Sequence, residues 1–227
     1  MSLFQTTEIA CPICSTPVSF DLVVSLSADR RPDLRQAVLD GSFQRKDCPS
    51  CGTSFRVDPE FTFIDVQRGQ YIGAWPIGKR IEWQACAERT VTSFDLAFGK
   101  RAGPEARDIG KKLQPRAVFG WAALVEKLIA NEAGIDDASL ETAKVYAVST
   151  LESAPLPGRQ EFRLVNVIDG DLVFAWVRTD DGTVSDGLQM PRRIIAEIES
   201  NPAAWQEVRS DVAEGVVVDF QREMLAR

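Results

Sequence analysis

Residues 11–24 read CPICSTPVSFDLVV, and residues 48–57 read CPSCGTSFRV. Each stretch opens on two cysteines with two residues between them, then continues into the alternating apolar and polar residues of a strand. A C-x-x-C loop aims two sulfurs at one point, and two such loops can complete a tetrahedron of thiolates around a zinc ion. Cys11, Cys14, Cys48 and Cys51 are therefore the candidate ligands of one structural zinc per chain. A site closed by four thiolates keeps no open position, so it organises a fold and does not activate water. In both loops a proline after the first cysteine fixes φ and stiffens the turn. Backbone N–H groups beyond it can then face the thiolate charge.

Thirty-three residues lie between Cys14 and Cys48, enough to carry structure of their own. Val18, Phe20, Leu22 and Val24 alternate as a strand leaving the first pair. Pro32 and Asp33 suit a first helical turn, Leu34, Val38 and Leu39 share a helical stripe, and Gly41 stands where a left-handed cap is expected, which predicts a short helix over about 32–40. After Cys51, Gly52 permits a positive φ, and Thr53 to Val57 reads as a strand. Each cysteine pair is thus a turn opening into a strand, the zinc-ribbon arrangement. Two other chemistries fit four such thiols. Rubredoxin-type iron uses the same donors. Glutaredoxin-like redox loops also use CPxC, but there a helix N-terminus lowers the thiol pKa, and β-rich sequence follows both pairs here.

Further along, Phe61 to Val66 and Tyr71 to Trp75 predict a hairpin with a turn at 67–70. Residues 81–98 carry mixed signals, because Trp83, Cys86, Val91, Phe94 and Phe98 can form one helical stripe while Thr90 and Thr92 favour strand. Residues 100–114 read as a solvated connection, and Lys100, Arg101, Lys111, Lys112 and Arg116 as a solvated basic stretch. From Pro115, the spacing of Val118, Trp121, Val125, Leu128 and Ile129 predicts an amphipathic helix, and Asp136 and Asp137 stand as caps before a second helix over 138–151. APLPGRQ at 154–160 marks a boundary, dividing the chain into units over 1–153 and 154–227. The second unit predicts a β-meander with turns at Asp169-Gly170 and Asp181-Gly182. Helices from Pro191 and after Asn201-Pro202 follow it. The acids Asp169, Asp171, Asp180, Asp181 and Asp186 lack the spacing of a calcium loop and read as turn residues.

The 227 residues are 44% apolar with a net charge of −7, and include five cysteines and no histidine. That excludes Ser-His-Asp and Cys-His machinery. No phosphate loop, dinucleotide fingerprint or nucleophile elbow occurs, so no catalytic constellation is recognisable. The acidic balance works against generic binding to phosphate backbones or anionic lipid. No apolar run reaches the length of a membrane span, MSLFQTTEIA lacks the character of a secretion signal, and paired cysteines fit metal binding in a reducing compartment, so a cytoplasmic protein is expected. Cys86 is left unpaired.

CPIC, PDLRQAVLDGSF at 32–43, CPSCG and FRVDPEF together resemble the CpXC domain family. Arg116, Val118, LVEKLI at 124–129, GIDD at 134–137 and LETAK at 140–144 resemble that family's helical segment, giving coverage of about residues 8–152. The resemblance implies metal ligation at the four cysteines and nothing catalytic. Ser15 stands where a glycine commonly follows the first motif. The expected architecture is α+β: a zinc-ribbon-like β lobe with an inserted helix, then helices, then the C-terminal meander and its helices. The expected role is a protein–protein interaction or regulatory module whose partner is another protein. The alternatives are a nucleic-acid-associated zinc-ribbon factor and a thiol oxidoreductase using the CPxC pairs.

Overall fold

The computed structural model describes residues 2–151 and 159–225. Strand β1 (Leu3–Ala10) runs antiparallel to β2 (Pro17–Ser27), with Ala10 opposite Pro17, so the CPIC loop is the tip of a long hairpin. The sequence reading did not anticipate β1. Its side chains are nearly all exposed or half-buried, so LFQTTEIA carries no one-sided apolar pattern. On β2 the partner register steps from Val23 to Ser25, which leaves Val24 as the extra residue of a bulge. The bulge re-aims the strand. Before it Val18 and Phe20 are buried in a small cluster with Cys11 and Cys48, and around it Val23 and Leu26 are buried in the main core.

Helix α1 (Pro32–Leu39) follows, with proline in its first turn as expected and Val38 fully buried. Strands β3 (Arg45–Asp47) and β4 (Ser54–Arg56) then form a second hairpin, whose tip is the CPSC loop. The pair β5 (Phe61–Asp65) and β6 (Gln70–Trp75) forms the predicted hairpin. Residues 81–98, left between helix and strand by the sequence, hold helix α2 (Trp83–Phe98). Thr90 is accommodated because its hydroxyl donates to the Cys86 carbonyl one turn back at 2.9 Å and accepts from Trp75 Nε1 at 3.1 Å. Gly73 makes room for it, since a Cβ there would lie 2.4 Å from Thr90 Oγ1.

The expected loop over 100–114 contains a short helix, α3 (Pro104–Gly110). The helix expected from Pro115 begins later, because β7 (Gln114–Phe119) first pairs parallel to β6, and Val118 belongs to the sheet. Helix α4 (Gly120–Glu132) then packs on the sheet, while α5 (Asp137–Ser149) packs against Phe162 and Phe174 of the C-terminal strands. The main sheet has the order β1-β2-β5-β6-β7, with β2–β5 and β6–β7 parallel. One face packs Phe61, Phe63, Ile72 and Val118 against Val38 of α1 and Leu124 and Leu128 of α4. Near its β7 end the other face is covered by α2 through Trp75, Cys86 and Phe119.

The C-terminal meander is present as β8 (Gln160–Ile168), β9 (Asp171–Arg178) and β10 (Val184–Met190), joined by the two Asp-Gly turns. Helices α6 (Arg193–Ser200) and α7 (Gln206–Val212), the strand pair β11 (Ala213–Glu214) and β12 (Val217–Val218), and a closing 3-10 turn complete the chain. Most of the boundary segment at 154–160, through residue 158, falls outside the described residues. On either side of it, Leu140 and Ala143 of α5 share one apolar cluster with Phe162, Phe174 and Ile198.

Beside that cluster lies a buried charge network that no sequence pattern announced. Glu126 accepts from Lys144 Nζ and Arg163 Nη1 at 3.0 and 2.9 Å, and Arg163 Nη2 donates to Asp219 at 2.8 Å. Lys144 also meets Glu141 at 2.9 Å, and Lys127 bridges Glu141 and Asp137. Burial opposes the charge on Glu126 and Asp219, but Lys144 and Arg163 outweigh it and hold both carboxyls below the ordinary range. A carboxyl depressed in the folded state stabilises fully above its unfolded pKa, about 4, and loses that contribution as pH falls toward the folded value. Stability should therefore decline on acidification below about pH 4, and Asp219→Asn should flatten this limb in urea titrations at stepped pH. Arg163→Met, which takes the guanidinium from three buried carboxylates, Glu126, Glu161 and Asp219, should cost about 3–5 kcal/mol at neutral pH.

Candidate metal centre

The two hairpin tips are built alike. Cys11 N–H donates to the Thr16 carbonyl and Ser15 N–H to the Cys11 carbonyl, each at 2.9 Å. At the second tip, Cys48 N–H donates to Thr53 and Gly52 N–H to Cys48, again at 2.9 Å. The residue after the second cysteine must enter the left-handed region to close such a loop. Gly52 does so at φ 71°, and Ser15 does so at φ 59° without glycine's freedom. The shared unit is therefore C-P-x-C-x-T, one residue pair longer than the motif that first draws notice. Its threonines have a role, since Thr16 Oγ1 lies 3.3 Å from Cys14 Sγ and Thr53 Oγ1 3.3 Å from Cys51 Sγ.

The two hairpins belong to separate sheets, and side-chain packing between them, with Phe20 against Phe55, brings the tips together. Cys11 Sγ lies 3.7 Å from Cys51 Sγ, Cys14 Sγ lies 3.5 Å from Cys48 Sγ, and all four sulfurs lie within 4.8 Å of one another. A tetrahedron with metal–sulfur bonds of about 2.3 Å has edges of about 3.8 Å. The quartet thus fits a single tetrahedral ion. Cys11 and Cys48 are buried at 1% exposure, whereas Cys14 and Cys51 are exposed. The Thr16 hydroxyl and N–H favour the Cys14 thiolate and bring its pKa down to about 6, and Thr53 acts likewise on Cys51. At Cys48 the Cys51 N–H favours the thiolate, but burial and the Cys14 and Cys11 thiols outweigh it and push the pKa up to about 11. A bound cation would reverse that preference by ionising all four thiols.

The apolar support under the sulfurs is small. Phe20 and Phe55 meet edge to face at 5.3 Å, and Lys46 lies over Phe20 while donating to the Ser19 carbonyl at 2.7 Å. Only Val18, Phe20 and the two buried cysteines are fully enclosed in this cluster.

The CpXC family model, described as CpXC protein, matches residues 9–144. The chain belongs to the CpXC family. The match spans both cysteine loops and ends within α5, so β8 and everything after it lie beyond the matched region of this CpXC protein. No curated protein and no solved structure matches the chain. The family and the sulfur cluster together support metal binding.

The remaining candidates lie elsewhere. Cys86 lies on the buried face of α2 beside Trp75, and burial raises its pKa. Asp136 caps α5 by accepting from Ser139 N–H at 2.9 Å, whereas Asp137, in the first turn, pairs with Arg116 at 2.6 Å and Lys127 at 3.5 Å. Among the described residues, the four cysteines are the only grouped set of possible metal ligands, so the turn acids form no cation site. No helix among them is long and apolar enough to cross a membrane. Ser15 offers a direct test of the loop geometry. Ser15→Gly should relieve a left-handed serine and stabilise the protein by about 0.5–1 kcal/mol with metal stoichiometry unchanged, as read by thermal unfolding and metal analysis.

Proposed function

We propose that this CpXC protein holds one zinc ion in the Cys11, Cys14, Cys48 and Cys51 quartet as a structural staple, and that it works in the cytosol as a protein-binding or regulatory module. The observation that carries this reading is the convergence of four sulfurs at tetrahedral spacing from two independent hairpins. When bound, the ion supplies charge neutralisation and a cross-link. The chain's own contribution is to pre-set both loops through Pro12 and Pro49, the left-handed Ser15 and Gly52, and the two threonines. Four protein donors fill a tetrahedral ion, which favours architecture over hydrolysis.

The geometry supports the rival chemistries less well. A dithiol oxidoreductase pairs the sulfurs within one C-x-x-C at a helix N-terminus. Here the short separations run between loops, and each loop joins two strands. For nucleic acid, several basic side chains are engaged by acids: Arg31 with Asp33, Lys79 with Glu60, and Arg80, which is buried, with Glu161. The net charge of −7 opposes phosphate attraction as well.

Metal analysis with native mass measurement should find one zinc per chain. Cys48→Ser should abolish it and unfold the paired tips, seen as lost amide protection over 9–20 and 45–57. Comparing the proteins captured by intact chain and by Cys48→Ser tests the binding role. Unchanged metal content, protection and partner set in the variant would overturn the proposal.

A further inference from the structure

The main sheet has two edges, and they differ. At β7, Ala117 N–H donates at 2.9 Å to the Val216 carbonyl just before β12, so that edge is covered. At β1, no described strand pairs with the outer side of its eight residues, Leu3–Ala10. An open strand presents the N–H and C=O groups of alternate residues to any chain that can pair with them. Sheets ordinarily guard such an edge with lysine, proline or a bulge on the edge strand. LFQTTEIA has no lysine, arginine or proline, its one charge is Glu8, and the extra residue of the bulge, Val24, is on β2. Leu3 and Phe4 stand 53% and 44% exposed along it, an apolar cost in a surface position.

We infer that β1 pairs antiparallel with β1 of a second copy of this chain, joining two five-stranded sheets into one. A two-fold axis that sets identical strands antiparallel in one sheet stands perpendicular to it and keeps each residue on its own face. Residues opposite one another must then belong to the same face. Leu3, Gln5, Thr7 and Ile9 share the face of Val18 and Phe20, and Phe4, Thr6 and Glu8 share the other. Centring the pair on Thr6 puts Thr6 opposite Thr6, Gln5 opposite Thr7, and Leu3 opposite Ile9, while Phe4 faces Glu8. Centring on Gln5 sets Leu3 against Thr7, and centring on Thr7 sets Gln5 against Ile9. Only the Thr6 register joins the apolar ends and keeps Glu8 away from its own copy. The cysteine tips then lie at opposite ends of the paired edge, so metal binding and pairing do not compete.

A single strand pair buries little surface, and each copy carries a net charge of −7, so association should depend on concentration and strengthen as salt screens the repulsion. Thr6 is exposed and its replacement leaves the core intact. Sedimentation of the full, metal-replete chain over a concentration series should show a monomer–dimer equilibrium. Thr6 donates to Asp21 at 2.6 Å, so Thr6→Glu, which sets like charges on the axis beside both Asp21 carboxylates, should weaken it by about tenfold, whereas Asp21 offsets the charge added by Thr6→Lys. Mixing the two variants should restore a heterodimer, identified by native mass measurement. A wild-type chain that stays monomeric throughout, a dimer indifferent to Thr6→Glu, or a mixture no better than Thr6→Glu alone would overturn the inference. None of these readouts depends on which metal the cysteines hold.

Discussion

Convergence of four thiols from two hairpin tips is the constraint on which the N-terminal lobe depends. The tips pack on a cluster separate from the main core, and in it only Val18, Phe20 and the two buried cysteines are buried. So small a cluster supplies little hydrophobic stabilisation, while structural zinc in comparable peptides contributes about 10–16 kcal/mol. The long β1–β2 hairpin projects past β5, and on the proposed zinc reading its free end would be tied through sulfur. The bulge at Val24 lets one strand serve both places, turning its apolar side from the cysteine cluster to the main core.

Between the helices and the C-terminal meander a different interaction takes over. Glu126, Lys144, Arg163 and Asp219 come from α4, α5, β8 and the segment after β12, and they meet in the interior, with Asp219 keeping 9% exposure. Buried charge is costly to leave unpaired, so this network favours one packing of the meander on the helices over any slipped alternative. The matched family region ends at residue 144, so the network ties residues inside that region to Arg163 and Asp219 outside it. The C-terminal extension is thus joined to the family region by ion pairs as well as by the shared apolar cluster.

Much of this architecture was legible beforehand. The strand after Cys14, the helix at 32–39, the hairpin at 61–75 and the meander all carry strong periodicity or turn chemistry, and the structure places them close to the expected residues. The departures have local causes. Strand β1 is exposed on both faces and so lacks the alternation that marks a half-buried strand. Val118 fits a helical stripe by spacing, yet parallel pairing with β6 claims it for the sheet. Thr90 argued for strand by propensity, but its hydroxyl found partners within α2 and on Trp75.

The sequence by itself singled out the four cysteines that the fold brings together, because C-x-x-C spacing aims paired sulfurs at one point. The repeated C-P-x-C-x-T unit also encodes the local loop geometry, since proline, a left-handed residue and a hydroxyl act within six residues. Only the tertiary structure decided that the loops face each other across two hairpins at tetrahedral distance, and that distant charges close into one buried network. Those outcomes depend on strand pairing and helix packing between segments many tens of residues apart, and no local pattern records which partner a strand edge or a buried charge will meet.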